Sequence, residues 1–170
     1  MSVPSPTNVA GYFKRYTDLV EEEEDLATAF KNQSQMVTNL LSSIDEQKST
    51  YAYAPGKWTL KEMLQHLIDA ERIFSYRAVC FARKELQTLP GFDENEYAEN
   101  SLANNRSWDN LVEEFWAVRR SCILLFESFT AEMLSNTGKA GNNELSAEQL
   151  GFIIVGHVNH HCKIIRERYL

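Results

Sequence analysis

Four stretches of the chain repeat their apolar residues at steps of three, four or seven, and none of the four prolines falls inside any of them. Steps of that size put apolar side chains on one face of an α-helix, whereas strands need strict alternation, and no such alternation persists anywhere. The first stretch runs from about Val9 to Gln47 and carries Leu19, Leu26, Phe30, Val37, Leu40, Leu41 and Ile44. It predicts one helix with a bend around 31–34. The acidic run Glu21 to Asp25 reads as a solvated face of that helix.

The second stretch marks its own beginning. Pro55 and Gly56 make a turn, and Thr59-x-x-Glu62 has the form of a capping box, in which hydroxyl and carboxylate satisfy orphan backbone N–H groups reciprocally. Trp58 and Met63 are placed for the accompanying hydrophobic staple. A helix is therefore expected from Thr59 or Leu60 to about Lys84, its inward stripe being Met63, His66 or Leu67, Ala70, Ile73 or Phe74, Arg77 and Phe81. Residues 86–106 lose the period and predict a long connection, a length that in compact domains is functional or a crossover. Ser107 caps a third helix, Trp108 to about Met133, with Leu111, Phe115, Val118, Cys122, Leu125 and Phe129 as its stripe. "SNTGKAGNN" ends it. A second capping box, Ser146-x-x-Gln149, opens a fourth helix that runs to about Arg168. Four helices in 170 residues predict an all-α fold, a four-helix bundle with one or two long connections, as a single domain over 1–170.

Charge narrows the partners. A formal net charge of −7 and the lack of a basic patch argue against nucleic-acid binding. The nearest cation group, Lys163, Arg166 and Arg168, sits in the last turns of a helix, where cations complement the dipole. Cys80, Cys122 and Cys162 are odd in number and widely separated, which is no disulfide framework and fits a reducing cytoplasm. The start "MSVPSPTNVAGYF" lacks an apolar signal core and no run of 18 apolar residues exists, so neither secretion nor a membrane span is expected.

Three of the four histidines fall in "GHVNHHCKII". His157 and His161 are four apart, one turn from each other on the apolar face with Leu150, Ile153, Ile154, Ile164 and Ile165. Such a pair can bite one transition-metal ion, and His66 on the inward stripe of the second helix would supply a third imidazole. Hydrogen-bonded core histidines are the alternative. Periodicity alone leaves the two readings level.

The segment "YAPGKWTLKEMLQHLIDAERIFSYRA", taken with "GHVNHHCKII", resembles the DinB-like superfamily, the DinB/YfiT-type metalloenzymes. The likeness covers nearly the whole chain: W-[ST]-x-x-E-x-x-x-H-x-x-D in the second helix, a long connection between helices 2 and 3, and H-x-x-x-H in the last helix. The resemblance implies an up-down-down-up four-helix bundle, often a homodimer, with His66, His157 and His161 holding a divalent metal, usually Zn2+ or Ni2+. It also implies a small-molecule substrate, with chemistry that ranges from hydrolysis to transfer or isomerisation with a low-molecular-weight thiol. Many relatives continue the last motif as H-x-G-Q, whereas Cys162-Lys163 follows His161 here.

The neighbours of these histidines carry expectations of their own. His160, offset by about 60° from His157 and about 100° from His161 on an ideal helix, reads as a supporting, rim or interface residue. Asp69, nearly one turn beyond His66, either orients a ligand imidazole or a bound water, or pairs with Arg72. Glu62 belongs to the capping box before it belongs to any site. Arg77, buried on the same face as His66, wants a carboxylate, either structural or belonging to a substrate. Cys162 points away from His161 and is not expected as a ligand. Asp93, Glu94, Glu96 and Tyr97 in the long connection either wall a pocket or are solvated. Three neutral imidazoles around a divalent ion leave an open position, which suits a metal-dependent hydrolase or thiol transferase. The rivals are a non-catalytic metal-binding or stress-related ligand-binding bundle, and a plain bundle with hydrogen-bonded core histidines.

Overall fold

A computed structural model describes Val9, residues 11–21 and residues 25–170. A 3-10 turn, Gly11–Phe13, leads into the short α1, Lys14–Thr17. The chain then breaks, and α2 runs over Leu26–Ser42. The single long helix expected from Val9 to Gln47 is thus corrected to separate pieces, and there is no bend at 31–34. The cause lies in the acidic run: the Asp25 side chain accepts from the Thr28 N–H at 2.9 Å and starts a new helix as its N-cap. Of the run read as a solvated face, Glu21 and Asp25 are exposed, while Glu22, Glu23 and Glu24 lie outside the described residues. Asp45 caps the short α3, Glu46–Ser49, in the same way.

The capping box forms as expected: α4 spans Leu60–Ala82, with Thr59 and Glu62 exchanging side-chain and backbone hydrogen bonds. The long connection is less bare than its sequence suggests. Asp93 caps α5, Glu94–Asn100, and a 3-10 turn follows at Ala103–Asn105. Ser107 caps α6, Trp108–Glu127, which stops short of the expected Met133 because Thr130 caps a separate α7, Ala131–Ser135. The stretch "SNTGKAGNN" holds strands where none were expected. β1, Thr137–Ala140, and β2, Asn143–Ser146, pair antiparallel around a tight turn at Gly141 and Asn142, where Gly141 takes φ +56°. Leu89 from the long connection adds a parallel bridge to Ala140. The second capping box, Ser146 with Gln149, opens α8, Ala147–Ile164, whose end widens into a π turn at Ile165–Tyr169. No helix among the described residues is long and apolar enough to cross a membrane.

The four long helices α2, α4, α6 and α8 pack on one another as a four-helix bundle, and α1 lies along α8. That last contact needs a glycine: a Cβ at Gly156 would stand 2.1 Å from the Tyr16 carbonyl oxygen, so only Gly lets the two backbones approach. The core has two apolar layers. One contains Phe30 of α2, Phe74 and Phe81 of α4, Phe126 of α6 and Ile153 of α8. The other contains Leu40, Leu64, Leu111 and Val158 from the same helices in turn. Each buried side chain of this size contributes roughly 1.5–3 kcal/mol from the area it removes from water.

Between the layers runs a polar network. Arg119 on α6 donates from Nε and Nη2 to the two carboxylate oxygens of Glu71 on α4, both at 2.8 Å, and its Nη1 donates to Gln33 on α2 at 2.5 Å. The Gln33 amide in turn donates to the Val155 carbonyl and to Asn159, both on α8, at 2.6 Å. The Arg119 and Glu71 side chains are each 2% exposed. A buried fork-to-fork ion pair of this kind is held by its full set of hydrogen bonds rather than by Coulomb attraction alone.

Candidate metal centre

His66 sits seven residues into α4, in the second full turn after the capping box. His157 and His161 stand one turn apart on α8, the helix that packs directly against α4. The three imidazoles converge. Nε2 of His157 lies 3.0 Å from Nε2 of His66 and 3.2 Å from Nε2 of His161, and all three residues are buried. They form a cluster whose ligand-type atoms all lie within 4.8 Å of one another.

Hydrogen bonding does not explain this convergence. Nε2 of His157 carries either one hydrogen or one lone pair, so it cannot serve two neighbouring nitrogens at once. Nitrogens around a tetrahedral ion at ordinary Zn–N bond lengths stand roughly 3.3 Å apart, which is close to the spacing found. The electrostatics favour lone pairs as well. Burial pushes the His66 imidazole from its ordinary 6.5 down to about 4. His157 and His161 are held well below 6.5, first by burial and then by the neighbouring histidines. All three are therefore neutral near pH 7, the state that ligates metal. Nδ1 of His161 is buried without a hydrogen-bond partner.

These shifts predict a pH dependence for the metal-free chain. The unfolded chain takes up protons below about pH 6.5, while folded His66 does not until about 4. Stability should hold its full value above 6.5 and fall as pH drops from there toward 4. Urea midpoints measured across that window check it, and the slope should flatten in His66→Ala.

Aromatic rings enclose the cluster. Trp58, placed by sequence as a helix staple, has its ring centroid 4.8 Å from that of His66. Tyr16 meets His157 edge-on at 5.0 Å, and Phe74 meets it edge-on at 6.0 Å. The imidazoles form one end of a cavity of about 440 Å³, within the range of small-molecule sites. Its outer wall comes from Phe92 and Glu94 of the long connection and from Ala140, Gly141 and Asn143 of the hairpin.

The remaining expectations divide. His160 is partly exposed, lines the cavity and packs edge-on against Tyr16 at 5.4 Å, which is a rim position. Asp69 does not support an imidazole. Its carboxylate accepts from Gln65 at 3.0 Å and lies 3.9 Å from Arg72, which itself pairs with Glu114 of α6. Three residues fall about 60° short of the full turn that would bring it over His66. Glu62 is spent in the cap and accepts from Asn104. Cys162 is buried in an apolar layer, its thiol pushed up to about 11 by burial, and stays outside the cluster. Asp93 is a helix cap, and Tyr97 packs on Phe92 with centroids 5.1 Å apart. Tyr12, Arg15 and Tyr16 in the cavity wall were not anticipated. The signal was present in "GYFKRY", an aromatic and basic cluster with no place in a helix stripe.

Fold and site together define a class: helical bundles in which two facing helices bring three imidazoles to one point. Residues 29–165 match the DinB superfamily, and the chain belongs to it. The solved structure of YfiT from Bacillus subtilis, described as "a probable metal-dependent hydrolase with an unusual four-helix bundle topology", superposes with a TM-score of 0.69 at 15% identity, covering 94% of this chain and 88% of that one. At that identity the likeness is one of fold. No curated protein matches the chain.

Proposed function

We propose that the chain is a metal-dependent enzyme of the hydrolase or thiol-transferase kind, with His66, His157 and His161 as ligands of a divalent ion, zinc or nickel. The observation that carries this reading is the meeting of three buried, neutral imidazole nitrogens that no hydrogen-bond scheme satisfies. A divalent ion in such a site supplies Lewis acidity and makes water or a thiol more acidic. The chain does the rest: Trp58, Phe74 and Tyr16 exclude bulk water, and the cavity admits a small molecule. The two core layers support the up-down-down-up order, since α2 and α8 pass from the Phe30 layer to the Leu40 layer while α4 and α6 pass the other way. Family resemblance supports a homodimer, and the free thiols of Cys80, Cys122 and Cys162 support a reducing, cytoplasmic setting.

One observation favours a second reading, a non-catalytic ligand-binding bundle. Glu94 is the sole carboxylate among the described residues of the cavity wall, and it is only half-buried, so no buried general base stands ready. Turnover decides between the two. Zinc- and nickel-loaded protein is screened against esters, amides and thiol conjugates. The enzyme reading requires a turnover that His157→Ala abolishes without changing the helical circular dichroism; tight ligand retention without turnover of any class favours the binding bundle.

A further inference from the structure

Arg77 lies on α4 eleven residues beyond His66 and is 5% exposed, yet no carboxylate pairs with it among the described residues. Its one hydrogen bond among the described residues runs from Nη2 to the Pro90 carbonyl at 2.7 Å. A guanidinium has five N–H groups in a fixed fork, so most of its donors are left over. They are not sealed in the core either, because Arg77 contributes none of the buried side-chain atoms that lack a partner. The leftover donors open onto the cavity that Arg77 lines.

The guanidinium stands at the far end of that cavity from the histidines. Phe74 links the two ends: its ring is 6.0 Å from that of His157, and the Arg77 guanidinium carbon is 5.7 Å from the Phe74 centroid. The ends are roughly 10 Å apart: the two contacts through Phe74 bound the separation from above, and the rise of eleven helical residues keeps it from being short. A second aromatic, Phe92, lies 6.0 Å from the same guanidinium carbon. The other cation of the wall, Arg15, is exposed and already engaged, stacked 3.8 Å over the Tyr12 ring and donating to the Tyr16 hydroxyl at 2.9 Å. Glu94 brings a negative charge into the same wall and disfavours a doubly charged ligand.

We propose that Arg77 is a substrate-binding residue that takes a single carboxylate through its fork, and that the molecule held is an extended, largely apolar monocarboxylate whose other end reaches the histidine cluster about 10 Å away. This rests on the cavity being the active site of the enzyme described above. A neutral analogue forfeits a charge-assisted pair and leaves the guanidinium buried beside an apolar end.

Two pairs of probes, titrated calorimetrically onto full-length protein, test the assignment. On zinc-loaded protein, suberic acid monohydroxamate should bind roughly ten- to a hundredfold more tightly than its methyl ester, the fold-change of one charge-assisted interaction. On protein stripped with chelator, 4-phenylbutyrate should beat 4-phenylbutyramide by a similar factor, with no ion available to take the carboxylate. Both preferences should vanish in Arg77→Gln, shrink in Arg77→Lys, which keeps the charge and loses the fork, and persist in Arg15→Gln. The neutral probes should bind Arg77→Gln as they bind wild type, which shows that the cavity survives. Loss of hydroxamate binding with the phenylbutyrate preference intact overturns the metal reading and leaves Arg77 standing. Equal binding of acid and neutral probe by wild-type protein in both pairs overturns the proposal, as does a preference that follows Arg15 or favours the corresponding phosphate.

Discussion

Purified without a histidine tag and dialysed against metal-free buffer, the wild-type chain is expected to retain close to one divalent transition ion per molecule. Elemental analysis of His66→Ala, His157→Ala and His161→Ala should each find the ion lost. Loss of a supporting partner of a ligand typically lowers metal affinity ten- to a hundredfold, and loss of a ligand itself should exceed about a hundredfold. His160→Ala is the internal control, since His160 stands on the rim and outside the cluster. Metal content that survives His66→Ala together with His161→Ala would sink the centre. So would a His160→Ala variant that loses the ion as fully as His157→Ala. The result should not depend on the helices unfolding, because each substitution removes a neutral imidazole and leaves no buried charge behind.

The second large effect belongs to stability. Removing one member of the Arg119–Glu71 pair leaves a charge buried without its partner, at a cost of about 3–5 kcal/mol. Glu71→Leu and Arg119→Met should each lower the thermal midpoint by roughly 10 °C in a chain of this size. The double variant should recover much of the loss, because an apolar pair of similar volume removes both charges together. Calorimetry of the two single variants and the double variant forms the cycle. A double variant as unstable as the sum of the singles would show that the pair is not the coupled unit its geometry describes.

Much of this was legible in the sequence, and the reasons are local. Thr59 with Glu62 and Ser146 with Gln149 announce helix starts through hydrogen bonds between residues three apart. The starts in turn fix which face carries His66, His157 and His161. The hairpin was invisible because Thr137–Ala140 and Asn143–Ser146 are too short to show alternation, and a third partner, Leu89, comes from far away in the chain. The break before α2 was hidden because Leu19 and Leu26 keep helical spacing across it, while Asp25 passed for one more acid in a charged run. Nothing in the sequence sets Arg119 apart from the adjacent Arg120; only the folded bundle shows Glu71 and Gln33 meeting it. The cavity wall was legible only in part: Glu94 stood among the loop residues that could wall a pocket, whereas Phe92 and Gly141 come from segments with no periodicity and Tyr16 reads as part of a longer helix.

The polar network between the two apolar layers draws one side chain from each long helix: Gln33, Glu71, Arg119 and Asn159. Apolar layers tolerate sliding, because one leucine replaces another a turn away. The network does not, since a shift of one helical turn, about 5.4 Å, would break every bond in it. It therefore acts as a crossbolt that sets the relative height of all four helices. His66 lies five residues from Glu71, and His157 lies between Val155 and Asn159, so both ride on helices pinned at that level. The loops at either end of the bundle are then free to change length and shape, and the cavity with them, while the imidazoles stay in alignment.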